Sequence, residues 1–230
     1  MSLVVAMKCI DGVVVAADSC VGLEEGFSHT IQCAENAKLW HPYGTAFTVD
    51  NIKTTTENTL NNVIVGGVGK LREIQLVKEL VPMPNAKNIC LKTLVRDTVP
   101  DVQNIMVTYG AIADTKPYPD LDSTSFLIAT PERIYVLWAD YSVIQFNTFV
   151  AVGYCSAEAK GVWESITSQH PQPFTMEEGA EIIQQVMKVC AKDCIYVSEP
   201  IIIEKLPIEV DFKTVAEVIR ETGLDQLAKK

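Results

Sequence analysis

Apolar residues cluster in short blocks along the first part of the chain, and these blocks have the composition of β-strands. Leu3–Cys9 and Gly12–Ser19 are two apolar runs separated by an aspartate-glycine turn dipeptide. Because that dipeptide readily adopts the backbone angles of a tight turn, the pattern predicts a β-hairpin. Two further strand candidates, Ala37–Trp40 and Thr45–Val49, indicate a longer and partly exposed hairpin region.

Helical periodicity begins after a glycine-rich strand end. Val63–Val65 is an apolar strand that runs into residues 66–69, a stretch made of three glycines and a valine. Apolar residues then recur every three or four positions from Leu71 to Val81, which predicts a helix. A second helical pattern covers 85–106, and it is expected to kink or break at Pro100, because proline lacks the amide hydrogen that a helix interior uses.

The second half of the chain repeats this order of strands followed by helices. The predicted strands, expected to form an antiparallel meander, are Ser125–Ala129, Arg133–Leu137, Val143–Phe146 and Phe149–Val152. Ser156 is expected to cap a helix that extends to Ser168. Thr175 with Glu178 has the spacing of a capping box for the next helix.

The end of the chain completes two groups of strands, each followed by helices. The second capped helix is expected to bury Ile182, Ile183, Val186 and Val189. Strands are predicted at Cys194–Val197 and Ile201–Leu206, and a terminal helix begins near Asp211. Two sheets that both need covering, with helix pairs between them, favour an α+β fold, a four-layer αββα sandwich of two antiparallel sheets flanked by helix pairs.

The composition is that of a soluble globular protein. The chain has 230 residues, 48% hydrophobic and 21% charged, and no Pro/Gly/Ser-rich linker divides it. We therefore predict one domain over residues 1–230, with 208–230 as a C-terminal helical extension. No apolar run is long enough to span a bilayer and no basic leader with a cleavage site is present, so we expect a cytoplasmic protein without a membrane partner.

Charge and cysteine usage exclude further classes of function. A formal net charge of −10 and a pI near 4.8 disfavour nucleic acid as a partner, because phosphate binding needs clustered lysine and arginine. The seven cysteines lack the paired spacing of a structural zinc site, so we expect reduced and mostly buried thiols. Cys190 and Cys194 are four residues apart without a histidine nearby, which favours core packing over metal binding.

Several short stretches, in a consistent order, carry a resemblance to a known family. The most specific is Gly12–Ser19, and the others are the strands that run into Gly66–Gly67 and into Gly153, and the run Cys194–Tyr196. On these residues the chain resembles the proteasome family, meaning the proteasome β subunits and the peptidase of the bacterial two-component ATP-dependent protease. The resemblance covers about the first 207 residues. It implies an N-terminal nucleophile (Ntn) hydrolase fold.

The same resemblance implies roles for individual residues. Counting back from Asp18 places the family's nucleophile at Ser2, whose hydroxyl attacks while its own α-amine, freed by loss of Met1, takes the proton. A lysine held by Asp18 assists. Lys38 best matches the family's lysine, and Lys53, which lies nearer the expected distance before the glycines, is the alternative. Backbone amides at Gly66 or the next glycine are expected to form the oxyanion hole.

Two positions depart from the family pattern. Tyr154 stands where the family has a serine after the later glycine, and the aspartate expected near the end of the fourth helix is Asp193, one place off. Serine in place of the family's threonine at position 2 also removes the methyl group that restrains the side-chain rotamer. These differences weaken the assignment of supporting roles to the two positions.

The expected function is therefore that of a proteasome-like peptidase acting through an acyl-enzyme on Ser2, without metal or organic cofactor. The resemblance implies a peptide or unfolded-protein substrate and a homo-oligomer, and it also allows an ATP-dependent unfoldase as a partner. Two alternatives stay open. One is a non-catalytic ring subunit, and the other is an Ntn amidohydrolase that acts on a small amide, because the pocket cannot be deduced from the sequence.

Overall fold

A computed structural model describes residues 2–25, 28–33, 38–42, 62–109, 124–170, 172–194 and 197–208. The strands of these segments are β1 (Leu3–Lys8), β2 (Gly12–Asp18), β3 (Cys20–Glu25), β4 (Ser28–Cys33), β5 (Leu39–Trp40), β6 (Ile64–Val68), β7 (Ser125–Ala129), β8 (Ile134–Leu137), β9 (Val143–Phe146), β10 (Phe149–Gly153) and β11 (Ile201–Pro207). The α-helices are α1 (Leu71–Leu80), α2 (Leu91–Thr93), α3 (Val99–Thr108), α4 (Ser156–Thr167) and α5 (Met176–Asp193). A 3₁₀ turn (Ala86–Asn88) precedes α2, and a π-helical turn (Leu94–Thr98) joins α2 to α3.

The strands form two main antiparallel sheets and a separate hairpin. Within the described residues the first sheet has the order β10-β1-β2-β11, and the second has the order β5-β6-β7-β8-β9. Among the described residues, β3 pairs only with β4. β1 therefore lies in the interior of the first sheet, with β2 on one side and β10 on the other.

The core has three apolar layers, which define a sandwich with helices on both outer sides. Alternate residues of β1 and β2 divide between the layers: Val4 and Ala17 face the second sheet, whereas Leu3 and Ala16 pack against α4 and α5. The outer face of the second sheet packs against α1 and α3. This is the predicted four-layer αββα arrangement of an α+β fold, and the prediction is confirmed.

Several predicted elements are present where the sequence placed them. The β1–β2 hairpin, α1, β7, β8 and β9 match their predicted spans to within a residue or two. The capping box at the start of α5 is also confirmed, since the Thr175 amide donates to Glu178 Oε2 at 2.8 Å and the Glu178 amide donates to Thr175 Oγ1 at 3.3 Å. These two bonds satisfy amide groups that the first turn of a helix leaves unpaired.

Other local predictions were wrong, each for a physical reason. β10 does not extend the meander but crosses to the first sheet and pairs with β1. The glycines at 66 and 67 lie within β6 instead of ending it. Ser156 is the first residue of α4, whose N-cap is Cys155. Val189 is 40% exposed because it lies on the outer side of α5.

The regions around position 95 and around position 194 also differ from expectation. Within the predicted helix over 85–106, α-helical structure begins at Leu91 and passes through a π-helical turn directly before α3, in which Pro100 is the second residue. The regular helical pattern is thus interrupted next to the proline, which lacks an amide hydrogen. Cys194 caps α5, and Val197 is outside a strand. Thr45–Val49 and the terminal helix lie outside the described residues. No helix among those described has both the length and the apolarity needed to cross a bilayer.

Candidate active site

A buried ion pair lies at the end of β2. Asp18 is the last residue of that strand and is 0% exposed, and Lys38, which immediately precedes β5, is 3% exposed. Lys38 Nζ lies 2.6 Å from Asp18 Oδ1. A bond of this length between two buried charges is charge-assisted, and it connects the end of β2 in the first sheet to the start of β5 in the second. The sequence brings these groups together over a separation of 20 residues.

The same carboxylate oxygen also binds the backbone beside Ser2. Asp18 Oδ1 accepts a hydrogen bond from the Leu3 amide at 2.8 Å. The Leu3 nitrogen is bonded covalently to the carbonyl carbon of Ser2. One oxygen of Asp18 therefore connects the Lys38 ammonium to the peptide unit of Ser2, and the first residue of β1 is held next to a positive charge.

Ser2 is buried and is held from its other side by β10. Its carbonyl oxygen accepts a hydrogen bond from the Tyr154 amide at 3.0 Å. Gly153, the preceding residue, has a φ of +122°, a conformation that favours glycine. A Cβ at Gly153 would overlap the Ser2 carbonyl oxygen. The glycine is thus required where β10 approaches Ser2.

Gly66, the predicted oxyanion donor, lies opposite β1 in the facing sheet. A Cβ built on it would come 2.6 Å from Val4 Cγ1, so the absence of a side chain permits close packing of β6 on β1. The Gly67 amide donates to the Lys38 carbonyl at 2.9 Å. Because successive residues of an antiparallel strand face opposite neighbours, the Gly66 amide faces β7, where Gly66 pairs with Leu127. Its role as an oxyanion donor stays a prediction.

The two positions that depart from the family pattern lie together at a surface cavity. Tyr154 is 61% exposed. It lines a cavity of about 690 Å³ with Cys155, Asp193 and Cys194. Asp193 is the last residue of α5. Lys53, the alternative active-site lysine, lies outside the described residues.

The thiols of five cysteines are free: Cys9, Cys90, Cys155, Cys190 and Cys194. Burial, together with the adjacent Cys194, raises the pKa of Cys155 to about 12. Burial likewise raises the pKa values of Cys9 and Cys190 to about 11. Thiols with such pKa values stay protonated near neutral pH and are poor nucleophiles or metal ligands. The described part of the chain contains no group of three or more Cys, His, Asp or Glu residues arranged to hold a metal ion.

Ser19 is a residue at this site that the sequence reasoning did not single out. It follows Asp18 and is 1% exposed. Its backbone amide donates to the Ser198 carbonyl at 3.4 Å. The signal that could have identified it is its register position, since β1 and β2 pair so that Val4 lies opposite Ala17.

The fold is similar to that of the proteasome-like Ntn hydrolases, the class of protein whose solved structures this chain resembles. Anbu from Pseudomonas aeruginosa, described as a helical assembly, superposes with a TM-score of 0.59 at 16% identity over 99% of this chain and 95% of its own. BPH from Thiobacillus denitrificans, in complex with epoxomicin, gives 0.53 at 15% over 90% and 100%. Eukaryotic HslV from Trypanosoma brucei gives 0.54 at 16% over 90% and 99%.

These likenesses establish the fold and confirm the resemblance drawn from the sequence motifs. No protein-family model matches the sequence, and no curated protein sequence matches it either. At identities near 15%, what is shared is the arrangement of sheets and helices, which hosts different chemistries on one framework. The activity therefore has to be argued from the residues of the site.

Proposed function

We propose that this protein is a peptidase whose nucleophile is the hydroxyl of Ser2 and whose general base is the α-amine of the same residue. The observation that carries the proposal is the buried Asp18–Lys38 ion pair, bonded at 2.6 Å and attached through Asp18 Oδ1 to the Leu3 amide. Burying two charges is costly unless they are paired with good geometry. Their location beside the first residue of β1 supports a catalytic purpose for the pair.

The chemistry requires the amine of Ser2 to be free, and therefore everything that precedes Ser2 to be removed. The α-amine then accepts the hydroxyl proton as Ser2 Oγ attacks the substrate carbonyl. Collapse of the tetrahedral intermediate breaks the carbon–nitrogen bond, and the proton passes to the leaving amine. A water molecule, deprotonated by the same α-amine, hydrolyses the resulting ester and releases the acid product.

Lys38 has an electrostatic role in this proposal. A free α-amine has a reference pKa of about 7.7–8.0, so part of it is protonated and inactive near neutral pH. A neighbouring ammonium group disfavours that protonated form. Asp18 keeps the lysine charged and fixes its position, because it binds both the lysine and the backbone of Leu3. The contact with Asp18 supports Lys38 in this role, while Lys53 lies outside the described residues.

The remaining parts of the proposal follow the resemblance. Gly66 is the oxyanion donor that the resemblance implies, and in the described structure its amide faces β7. The substrate is a peptide or an unfolded protein, and the chain assembles with copies of itself, as the helical assembly of Anbu supports. An ATP-dependent unfoldase is a further proposed partner.

Covalent labelling tests the proposal. An α′,β′-epoxyketone has two electrophilic centres, which match a hydroxyl and an amine on one residue, and epoxomicin is held by a protein of this fold. Protein with a free Ser2 amine is expected to gain one inhibitor mass, and peptide mapping is expected to place it on Ser2. Ser2→Ala should abolish the adduct, because the hydroxyl that attacks the inhibitor's ketone is lost even though the α-amine remains.

Ser156→Ala is the matched control, since it removes a serine hydroxyl at the start of α4 and should label like the wild type. An adduct on another residue, or no adduct on folded protein with a free Ser2 amine, would contradict the proposal. If Ser2 is labelled but the protein hydrolyses no peptide in a mixed library, the same acyl-enzyme chemistry would be assigned to a substrate that is a smaller amide.

A further inference from the structure

The Ser19 hydroxyl is a buried polar group that the proposed mechanism does not use. Ser19 is 1% exposed, and its Oγ has no hydrogen-bond partner among the described residues. An unpartnered hydroxyl in the interior is costly because it has lost its hydrogen bonds to water. A hydrogen-bond partner would offset this cost, and the Ser19 hydroxyl belongs to the residue that directly follows Asp18.

The register of the first sheet places Ser19 opposite Ser2. β1 and β2 pair with Val4 opposite Ala17, and the Leu3 amide bonds to the Asp18 side chain. One step further along this antiparallel register brings Ser2 opposite Ser19. Residues directly opposite each other project their side chains to the same face of a sheet.

The backbone hydrogen bonds show which type of pair this is. The Ser2 carbonyl is directed to β10, where it accepts from the Tyr154 amide, and the Ser19 amide is directed to the Ser198 carbonyl. Neither residue therefore uses these groups to bond the other. Such non-hydrogen-bonded pairs have Cα atoms only about 4.5 Å apart, and their side chains lie closer together than those of hydrogen-bonded pairs.

We propose that Ser19 is a positioning residue whose hydroxyl accepts a hydrogen bond from the free α-amine of Ser2, an inference that rests on the proposed function. An amide nitrogen at Ser2 carries one hydrogen, whereas a free amine carries two and an ammonium carries three. Release of the amine thus creates the donor that Ser19 lacks. The bond fixes rotation about the Cα–N bond of Ser2 and directs the amine lone pair toward Ser2 Oγ.

The bond has a second consequence, which separates it from a structural role. A hydroxyl that accepts from the amine also accepts from the ammonium form, and hydrogen bonding to a charged form favours that form. Removing the Ser19 hydroxyl is therefore expected to lower the pKa of the α-amine. The acidic limb of the labelling rate against pH should move to lower pH in Ser19→Ala, while the plateau rate falls about 10-fold through lost orientation.

The first test measures the rate of epoxomicin labelling against pH in the wild type, Ser19→Ala and Ser19→Thr. The threonine variant retains a hydroxyl and should recover most of the plateau rate. Thr98→Val is the matched control, because Thr98 is also buried with an unpartnered hydroxyl but lies in the helical layer of the other sheet. Its profile should match the wild type.

The second test does not depend on activity. In a Ser2→Ala background the chain still begins with a free α-amine once Met1 is removed. The pH dependence of the rate at which a small reagent acylates this amine reports the pKa of the amine. Adding Ser19→Ala should lower that pKa. Two results would overturn the role of Ser19 and leave the proposed function intact. One is an amine pKa that Ser19→Ala does not change. The other is a wild type that is labelled by epoxomicin and a Ser19→Ala variant that is labelled at the same rate at every pH. Absence of labelling in the wild type would overturn both.

Discussion

Replacing Lys38 by methionine is expected to reduce the labelling rate of Ser2 about 100-fold or more, since the charge that favours the neutral α-amine is lost. The same change is expected to destabilise the fold by about 3–5 kcal/mol, because it leaves the buried Asp18 carboxylate without its ammonium partner. The free energy of unfolding from urea titration and the rate of epoxomicin labelling at one pH measure the two effects.

A double replacement separates catalysis from stability. Asp18→Asn with Lys38→Met removes both charges, so it should recover a large part of the lost stability but none of the labelling rate. Lys205→Met is the matched control: this lysine lies in β11 of the same sheet and pairs with Glu177 at 3.0 Å, but both side chains are solvent-exposed. It should cost about 1 kcal/mol or less. Equal labelling by Lys38→Met and Lys205→Met would remove Lys38 from the mechanism.

Replacing Gly153 by alanine is the second large expected effect. The new Cβ would overlap the Ser2 carbonyl oxygen and come 3.1 Å from Val68 Cγ1, at a φ of +122° that alanine rarely adopts. We expect a loss of about 2–4 kcal/mol in the free energy of unfolding. Labelling of Ser2 should fall by at least about 100-fold, because even a small displacement of a reacting group is costly.

Gly161→Ala is the control for this substitution. A Cβ at Gly161, within α4, would meet no atom within 4 Å. Alanine is preferred over glycine inside a helix, so the variant should be more stable by about 0.5–1 kcal/mol and label like the wild type. If Gly153→Ala folded and labelled as well as Gly161→Ala, β10 would not be holding Ser2 in place.

Elements with a strong local pattern could be predicted from the sequence. The β1–β2 hairpin follows from two apolar runs and one turn, and α5 follows from its periodicity and its Thr175–Glu178 capping box. In both cases the residues that decide the structure are close together in the chain. Packing against the opposite sheet reinforces these local preferences instead of overriding them.

Elements that depend on distant partners could not be predicted in the same way. β10 follows β9 by a short connection, as in a meander, yet it pairs with β1. Nothing in the β10 residues specifies that partner, because an apolar strand fits either sheet. The β3–β4 hairpin was missed because Cys20–Glu25 and Ser28–Cys33 lack a regular alternation of apolar and polar residues.

In the candidate site, too, some residues could be predicted from local sequence motifs and others depend on distant contacts. Asp18 and Lys38 were identified through the resemblance of their surrounding motifs, which left Lys53 as an alternative to Lys38. The contact between them needs the two sheets to stack, since β2 and β5 belong to different sheets. Ser19 was missed because a single serine carries no pattern, and only the register of β1 with β2 places it opposite Ser2.

The central claim is that the hydroxyl and the free amine of Ser2 act together, and one measurement tests it most directly. A version with a short N-terminal extension ending just before Ser2, removable by a site-specific protease, is treated with epoxomicin before and after the extension is cleaved, and intact mass is recorded. We predict no adduct before cleavage and one adduct, on Ser2, after cleavage. Equal labelling of both forms, or no labelling of the cleaved and folded protein, would contradict the account.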